Sequence, residues 1–273
     1  MVNRVFARIT RAALLSASLF LTGCEVIEYH PYDTRISGET DLNRRNMERI
    51  EAECLGRDTI RFAVISDTQR WYDETRAAID AINALDSIDF VIHCGDQADF
   101  GLTREFEWMR DELLRLHVPF VCLLGNHDCL GTGTDVYRTI YGTPNFSFDA
   151  GPVHFLCLNT NAFEYDYSVP IPDFSFISAD RDALPATTRR TVVAMHAQPF
   201  SEQFNNNVAE LFQGELHKYP GLAFCLSGHG HTTQAVDLYG DGIYYYECTS
   251  AKGREYLLFT LSAQGMTYEA IPY

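Results

Sequence analysis

The segment Phe62–Asp73, FAVISDTQRWYD, changes abruptly from apolar to polar residues. The β-branched apolar run Ile60–Ser66 predicts a strand, and apolar residues at helical spacing over Glu74–Leu85 predict a helix after it. Asp67 and Gln69 lie in the turn between the two elements. A strand, a polar turn and a helix in this order are typical of a parallel sheet whose faces are covered by helices.

The same alternation continues along the first half of the chain. Strands are predicted at Asp89–His93 and Pro119–Leu124, and between them a helix over Thr103–Leu116 with Thr103 as its N-cap. A short helix is also predicted at Leu42–Ala52. The second half is richer in strands, with one helix near Val208–His217; the strands are predicted at Phe146–Asp149, Val153–Leu158, Thr191–Met195, Leu222–Leu226, Ala235–Leu238, Ile243–Cys248, Tyr256–Leu261 and Met266–Ile271. Two sheets in one α/β unit are the simplest packing of these elements.

Polar residues that suit metal binding or acid–base chemistry follow five of the predicted strands. They are Asp67, Asp96, the run Asn126-His127-Asp128, His196, and the pair His229 and His231. In open α/β sheets, ligands bind outside the carboxyl ends of the strands. Oxygen and imidazole donors without thiolates suit Mn, Fe, Zn or a similar divalent ion, and two such ions clamp a phosphoryl group and activate a water.

These segments resemble the motifs of the calcineurin-like metallophosphoesterase family. The matching segments, in the family's order between Ile60 and Thr249, are Asp67-Thr68-Gln69, Gly95-Asp96-Gln97-Ala98-Asp99, Gly125-Asn126-His127-Asp128, His196 and Gly228-His229-Gly230-His231. The resemblance implies an α/β fold, a four-layer αββα sandwich with two mixed central sheets. It also implies two divalent metal ions (Mn, Fe, Zn or Mg) that activate water to hydrolyse a phosphate monoester or diester.

The resemblance also implies a role for each motif residue. Asp96 would bridge both ions; Asp67 and His231 would bind the first ion, and Asn126, His196 and His229 the second. His127 would stabilise the phosphoryl charge or protonate the leaving group, and either Asp128 or Asp99 would orient it.

Gln69 stands where most of the family that the chain resembles has His, although some branches carry Gln or another residue here. An amide oxygen is still a hard neutral ligand, so we interpret Gln69 as a weakened or retuned ligand of the first ion. The alternative is a metal-binding protein of the same fold that is catalytically weak or inactive. Because His127 and Asp128 are both retained, the sequence favours the enzyme.

Several residues near the motifs have two interpretations. Arg70 and Trp71 either line the mouth of the site and contact substrate or cap the next helix. The long loop Thr160–Pro172, with Asn161 and three aromatic residues, is either a wall of the site or a cover for a sheet edge. His93 is expected to be a hydrogen-bonded core histidine. Phe106 and Trp108 are expected in the core.

The N-terminus predicts export and lipidation. Residues 1–23 have a basic start and a short apolar run, and Leu21-Thr22-Gly23-Cys24 resembles a bacterial lipobox. We therefore expect residues 1–23 to be a lipoprotein signal peptide, with lipid on Cys24. Residues 24–57 would form a tether and packing segment, and residues 58–273 the phosphoesterase domain. The mature protein would be a bacterial lipoprotein anchored to a membrane of the cell envelope.

The charge and the cysteines exclude other classes. The net charge is −16, and removal of residues 1–23, which carry three arginines and no acidic residue, lowers it to −19. This is unfavourable for gripping nucleic acid, so a nuclease is disfavoured and no nucleic-acid partner is expected. No C-x-x-C motif occurs, and cysteines such as Cys94, Cys122, Cys157 and Cys225 are expected to be buried small hydrophobic residues.

Overall fold

The computed structural model describes residue 30, residues 32–262 and residues 264–273. The predicted signal peptide and Cys24 lie outside the described residues. The compact unit Thr34–Tyr273 contains every element named below. Within the described residues, no helix is both long enough and apolar enough to cross a membrane.

The chain alternates helices and strands through its first half and is richer in strands thereafter, as the sequence predicts. The helices are α1 (Leu42–Cys54), α2 (Tyr72–Asn83), α3 (Thr103–Leu113), α4 (Gly133–Ile140), α5 (Phe174–Ala183) and α6 (Ala209–Leu216). The strands are β1 (Ile60–Ile65), β2 (Phe90–His93), β3 (Phe120–Cys122), β4 (Phe146–Ala150), β5 (Val153–Leu158), β6 (Arg190–Met195), β7 (Leu222–Ser227), β8 (Gln234–Asp237), β9 (Tyr244–Glu247), β10 (Glu255–Ser262) and β11 (Gly265–Pro272).

The strands form two mixed sheets. The first has the order β11-β10-β1-β2-β3, and the second has the order β4-β5-β6-β7-β9-β8. In the first, β1, β2 and β3 are parallel. In the second, β5, β6, β7 and β9 are parallel. The carboxyl ends of the parallel strands in each sheet therefore lie at one edge.

Three apolar clusters separate four layers. One cluster lies between the sheets and joins Phe62 and Phe90 of the first sheet to Phe155 of the second, with ring centroids 5.1–5.3 Å apart. A second lies between the first sheet and helices α2, α3 and α4, and a third lies between the second sheet and helices α5 and α6. The predicted αββα sandwich with two mixed sheets is confirmed.

Helix α1 closes the edge of the first sheet. The side chain of Asn43 accepts a hydrogen bond from the Cys122 N–H at 2.9 Å and donates to the Cys122 carbonyl at 2.8 Å. Asn46 donates to the Phe120 carbonyl at 2.8 Å. Both asparagines are buried. They satisfy backbone groups of β3 that an edge strand otherwise leaves free to pair with another chain.

Some sequence predictions about the helices are wrong. Helix α3 begins at Thr103, but its N-cap is Leu102, and the Glu105 carboxylate accepts the Leu102 N–H at 3.1 Å. Phe106 is buried as predicted, whereas Trp108 is 55% exposed because it lies on the opposite face of α3. The sequence analysis also missed α4 and α5.

A buried histidine links three elements at one end of the second sheet. This end is opposite to the one where the parallel strands have their carboxyl ends. His154 of β5 contacts Asp149 of β4 at 2.8 Å and Asp180 of α5 at 3.0 Å. The Asp180 carboxylate also accepts hydrogen bonds from Tyr219 and Ser147. Burial disfavours the charged imidazole, but the two carboxylates outweigh it and raise the pKa of His154 to about 9.

We predict that the contacts of His154 with Asp149 and Asp180 make the stability of the protein depend on pH. The unfolded histidine has a pKa of 6.5, so the stabilisation is complete below pH 6.5 and is lost as the pH rises through 9. The difference between the folded and unfolded pKa values corresponds to about 3 kcal/mol of stabilisation. Urea unfolding should therefore show that the free energy of unfolding decreases more between pH 6 and a pH above 9 in the wild type than in His154→Gln. Equal decreases in the two proteins would contradict the prediction.

Candidate metal centre

The strand ends of the two sheets meet at the predicted site. Asp67, Asp96 and Asn126 follow β1, β2 and β3, while His196 and His229 follow β6 and β7. Hydrogen bonds cross from one sheet to the other here. The His196 ring donates to the Cys94 carbonyl, with Nδ1 and O 2.8 Å apart, and the His229 N–H donates to Asp67 Oδ2 at 3.0 Å. The parallel topology thus brings together residues from five separate strand ends.

Two buried carboxylates and one buried imidazole form the centre of the site. Donor atoms of Asp67, Asp96 and His196 all lie within 4.8 Å of one another, and the three side chains are at most 1% exposed. Burial, with the nearby charges of Asp67 and Asp128, raises the pKa of Asp96 well above its usual range. Burial also opposes ionisation of Asp67, but hydrogen bonds from His231 and Ser66 hold its pKa at about 2. A cation beside Asp96 would offset the repulsion between its carboxylate and the carboxylates of Asp67 and Asp128.

Three lone pairs point at one another beside the carboxylates. A carbonyl oxygen only accepts, so His196 carries its proton on Nδ1, and burial lowers its pKa to about 4. Its Nε2 lone pair then faces Asn126 Oδ1 at 2.9 Å. In His229, Nε2 donates to Glu202 at 3.0 Å, and Nδ1 is the nitrogen that faces the same Asn126 oxygen at 3.0 Å. Such acceptors do not hydrogen-bond one another, so a cation between them fits this arrangement.

Gln69 also presents an unused acceptor to the site. Its Nε2 donates to Asp96 Oδ2 at 3.2 Å, and its Oε1 is buried with no hydrogen-bond partner. Burying an unpaired amide oxygen costs about 1–3 kcal/mol. A metal ligand role would satisfy this oxygen. The residue is 4% exposed, so solvent does not satisfy this oxygen.

The backbone is strained at four of the predicted ligand positions. Asp67, Asp96, His229 and His231 have φ angles of 51°, 63°, 73° and 56°, in the left-handed region that non-glycine residues rarely adopt. Such strain concentrates at functional sites because the surrounding structure fixes it there. Gly125 lies so close to Asp96 that a Cβ on it would be 2.1 Å from the Asp96 nitrogen. The glycine is required for this close approach.

Residues 60–233 match the family model described as calcineurin-like phosphoesterase. The chain belongs to this family. It is therefore a metal-dependent hydrolase that acts on phosphoric ester bonds. No curated protein matches the sequence.

Solved structures show the same fold. GAP50, the anchor in the inner membrane complex of Plasmodium, aligns with a TM-score of 0.58 and 12% identity over 79% of this chain and 85% of that one. A dimetal phosphatase from Danio rerio aligns with a TM-score of 0.58 and 11% identity over 78% and 99% of the two chains. Purple acid phosphatase PPD1 from yellow lupin (Lupinus luteus) seeds has the same TM-score and 13% identity; the alignment covers 78% of this chain and 51% of the lupin chain.

In this calcineurin-like phosphoesterase, His127 is oriented by Asp99 rather than by Asp128. The His127 Nδ1 atom lies 2.8 Å from the Asp99 carbonyl oxygen and 3.7 Å from its carboxylate. The carbonyl only accepts, so it fixes a proton on Nδ1 and leaves Nε2 as the nitrogen that faces a substrate. The Asp99 carboxylate also pairs with Arg70. The His127 side chain is 36% exposed, which leaves it open to a substrate.

Asp128 has a different position from the one proposed for an orienting residue. Its carboxylate accepts the backbone N–H groups of Asp96, Ala98 and Gly125 at 2.8–2.9 Å. Burial raises the pKa of Asp128 to about 7, although these N–H groups act in the opposite direction. Asp128 therefore joins the loops after β2 and β3 and fixes the position of Asp96.

The three predicted substrate contacts have different environments. Arg70 is half-exposed beside Asp99, and Trp71 precedes α2 with the Lys252 ammonium 5.3 Å from its ring centroid. Asn161 is fully buried and donates to the Leu124 carbonyl at 2.8 Å. Its side chain is inaccessible to substrate, so that prediction is corrected. His93 is also fully buried and contacts Thr68 at 2.8 Å, as predicted for a core histidine.

Two acidic residues of the site were missed by the sequence analysis. Glu202 contacts the ring of His229, and the buried Glu247 accepts a hydrogen bond from Gln234 at 2.8 Å next to Gly230. A Cβ on Gly230 would lie 2.0 Å from Glu247 Oε1. No motif marks either residue; the one available signal for Glu202 was its place in the loop after His196.

Proposed function

We propose that this phosphoesterase hydrolyses a phosphate monoester or diester with two divalent ions bound at the strand ends. The observation that carries the proposal is the convergence of the Asn126 oxygen and two imidazole lone pairs beside the buried Asp67 and Asp96 carboxylates. The first ion would be held by Asp67, Gln69, Asp96 and His231, and the second by Asp96, Asn126, His196 and His229. Mn, Fe, Zn and Mg suit these oxygen and nitrogen donors.

Several residues keep these ligands in position. The Cys94 carbonyl and the Glu202 carboxylate hold the rings of His196 and His229 in the tautomers that leave a nitrogen free. Asp128 holds Asp96 through its backbone N–H. When bound, the ions would supply Lewis acidity and lower the pKa of a water.

His127 supplies the acid–base chemistry of the proposed reaction. Its Nε2 gives a proton to the leaving oxygen as the P–O bond breaks, while water adds to phosphorus. The Asp99 carboxylate lies 3.7 Å from Nδ1 of the ring. The pairing of Arg70 with Asp99 brings a positive charge to the mouth of the site.

We predict different losses for two substitutions. Asp96→Asn should abolish metal binding and hydrolysis together, because it removes the charge that both ions share. His127→Ala should keep the metal and reduce turnover by about 10²–10⁴, the range for a missing acid–base group. The measurements are metal content and hydrolysis of a panel of monoesters and diesters with Mn, Zn, Mg and Fe supplied in turn. Loss of metal from His127→Ala would show that its role is misassigned.

A second prediction concerns the order in which the ions bind. A neutral amide oxygen binds a borderline ion less tightly than imidazole does, so the site with Gln69 should fill after the other. Gln69→His should tighten that weaker site and shift its preference toward Zn or Fe. Calorimetric titration of metal-free wild type and variant with Mn and with Zn measures both effects. Two equally tight sites in the wild type, unchanged by the substitution, would contradict a ligand role for Gln69.

We also propose that the enzyme is exported and anchored to a membrane of the cell envelope by lipid on Cys24. The support is the sequence Leu21–Cys24 behind a basic, apolar start. Mass spectrometry of the mature protein should find an acylated N-terminus that begins at Cys24. An unmodified N-terminus, or retention of residues 1–23, would refute the anchor.

A further inference from the structure

Two aromatic side chains stand half-exposed on one turn. Phe163 and Tyr167 are 52% and 49% exposed, and their ring centroids are 6.2 Å apart in a T-shaped arrangement. We call this pair the aromatic ledge. Aromatic rings stabilise a fold mainly by being buried, so half-exposed rings contribute less to stability.

The turn that carries the ledge is strained and yet internally bonded. Asp166 and Tyr167 have φ angles of 48° and 55°, and a bulky residue rarely adopts this conformation. The Ala162 carbonyl accepts the N–H groups of Tyr165 and Tyr167, each at 3.2 Å. The backbone that carries the two rings is therefore ordered before any ligand arrives, which lowers the entropic cost of binding there. Strain at an exposed aromatic residue is a mark of function rather than of stability.

The turn lies between the segments that carry two site residues. On one side, the Tyr165 hydroxyl lies 3.2 Å from Thr134 Oγ1 and 3.7 Å from Cys129 Sγ. Cys129 ends the short 3₁₀ turn that begins with His127. The turn that carries the ledge is thus attached two residues along the chain from His127, the residue assigned as the proton donor.

On the other side, the turn is tied to the loop that supports His229. The Phe163 N–H donates to the Gln203 carbonyl at 3.2 Å, and the Gln203 side chain donates to Glu164 at 2.9 Å. The neighbouring Glu202 contacts the His229 ring. Both attachments fix the ledge relative to the proposed metal ligands.

We propose that the aromatic ledge binds a flat aromatic ring on the leaving group of the substrate, such as a phenol or a nucleobase. This proposal rests on the function proposed above. The acid must reach the leaving oxygen, so the leaving group lies on the side of the site where His127 stands. The turn that carries the ledge contacts Cys129, two residues along the chain from His127, through the Tyr165 hydroxyl. An aromatic ring there stacks on Phe163 or Tyr167 while the phosphoryl group stays at the strand ends.

Two phosphonates that are not hydrolysed separate the ledge from the rest of the site. Benzylphosphonate carries an aromatic ring where the leaving group lies, and methylphosphonate lacks it. Calorimetry on the Mn-loaded wild type should find benzylphosphonate bound about five- to tenfold more tightly than methylphosphonate. The double variant Phe163→Ala/Tyr167→Ala should bind both equally, with its affinity for methylphosphonate unchanged. That unchanged affinity also shows that the variant is folded.

A matched control is Tyr244→Ala. Tyr244 is 45% exposed and begins β9, at the end of the sheet away from the site, so its removal should leave the preference for benzylphosphonate intact. If the double variant still binds benzylphosphonate more tightly than methylphosphonate, the proposed role of the ledge is overturned and the proposed function is not. Failure of both phosphonates to bind the wild type with Mn, Zn, Mg or Fe would overturn the proposed function and the ledge with it.

Discussion

The placement of two buried carboxylates at the ends of adjacent parallel strands is the constraint on which the rest of the site depends. Asp67 and Asp96 are almost without solvent, and each repels the other. Charges in such a place need an opposing charge and dense hydrogen bonding. The surrounding features supply these: His231 and Ser66 contact Asp67, while Gln69 and the His127 N–H contact Asp96.

This arrangement is costly to the fold, and other parts of the molecule sustain it. Left-handed backbone at the proposed ligand positions, an unpaired Gln69 oxygen and facing lone pairs on Asn126 and His229 all disfavour folding. The offsetting terms are ordinary ones, namely an inter-sheet core of stacked phenylalanines and helices packed on both outer faces. A rigid two-sheet frame allows a few strained residues to persist at its edge.

The sequence predicts most of the fold because buried strands are continuous apolar runs and the polar motifs interrupt them. It also predicts which residues come together, since parallel strands end at a common edge. The sequence does not predict side-chain contacts that depend on the path of a loop. Asp128 follows His127 in the chain, but its carboxylate turns to three backbone N–H groups. Glu202 reaches His229 from a loop without periodicity. The prediction that Trp108 is in the core was wrong because Phe106 and Met109 form the buried face of α3, and Trp108 lies on the other face.

Helix α1 has a consequence for how the chain is made. Its asparagines pair with the backbone of β3, and Asn43 is 79 residues away from Cys122 along the chain. At typical rates of synthesis the helix waits about 4–16 s for its partner strand. During that interval it must remain in solution, and its many charged residues, four arginines or glutamates among its first nine, suit it to do so. Once β3 has been made, the side chains of α1 occupy the backbone groups at its edge that would otherwise be open to pairing with another chain.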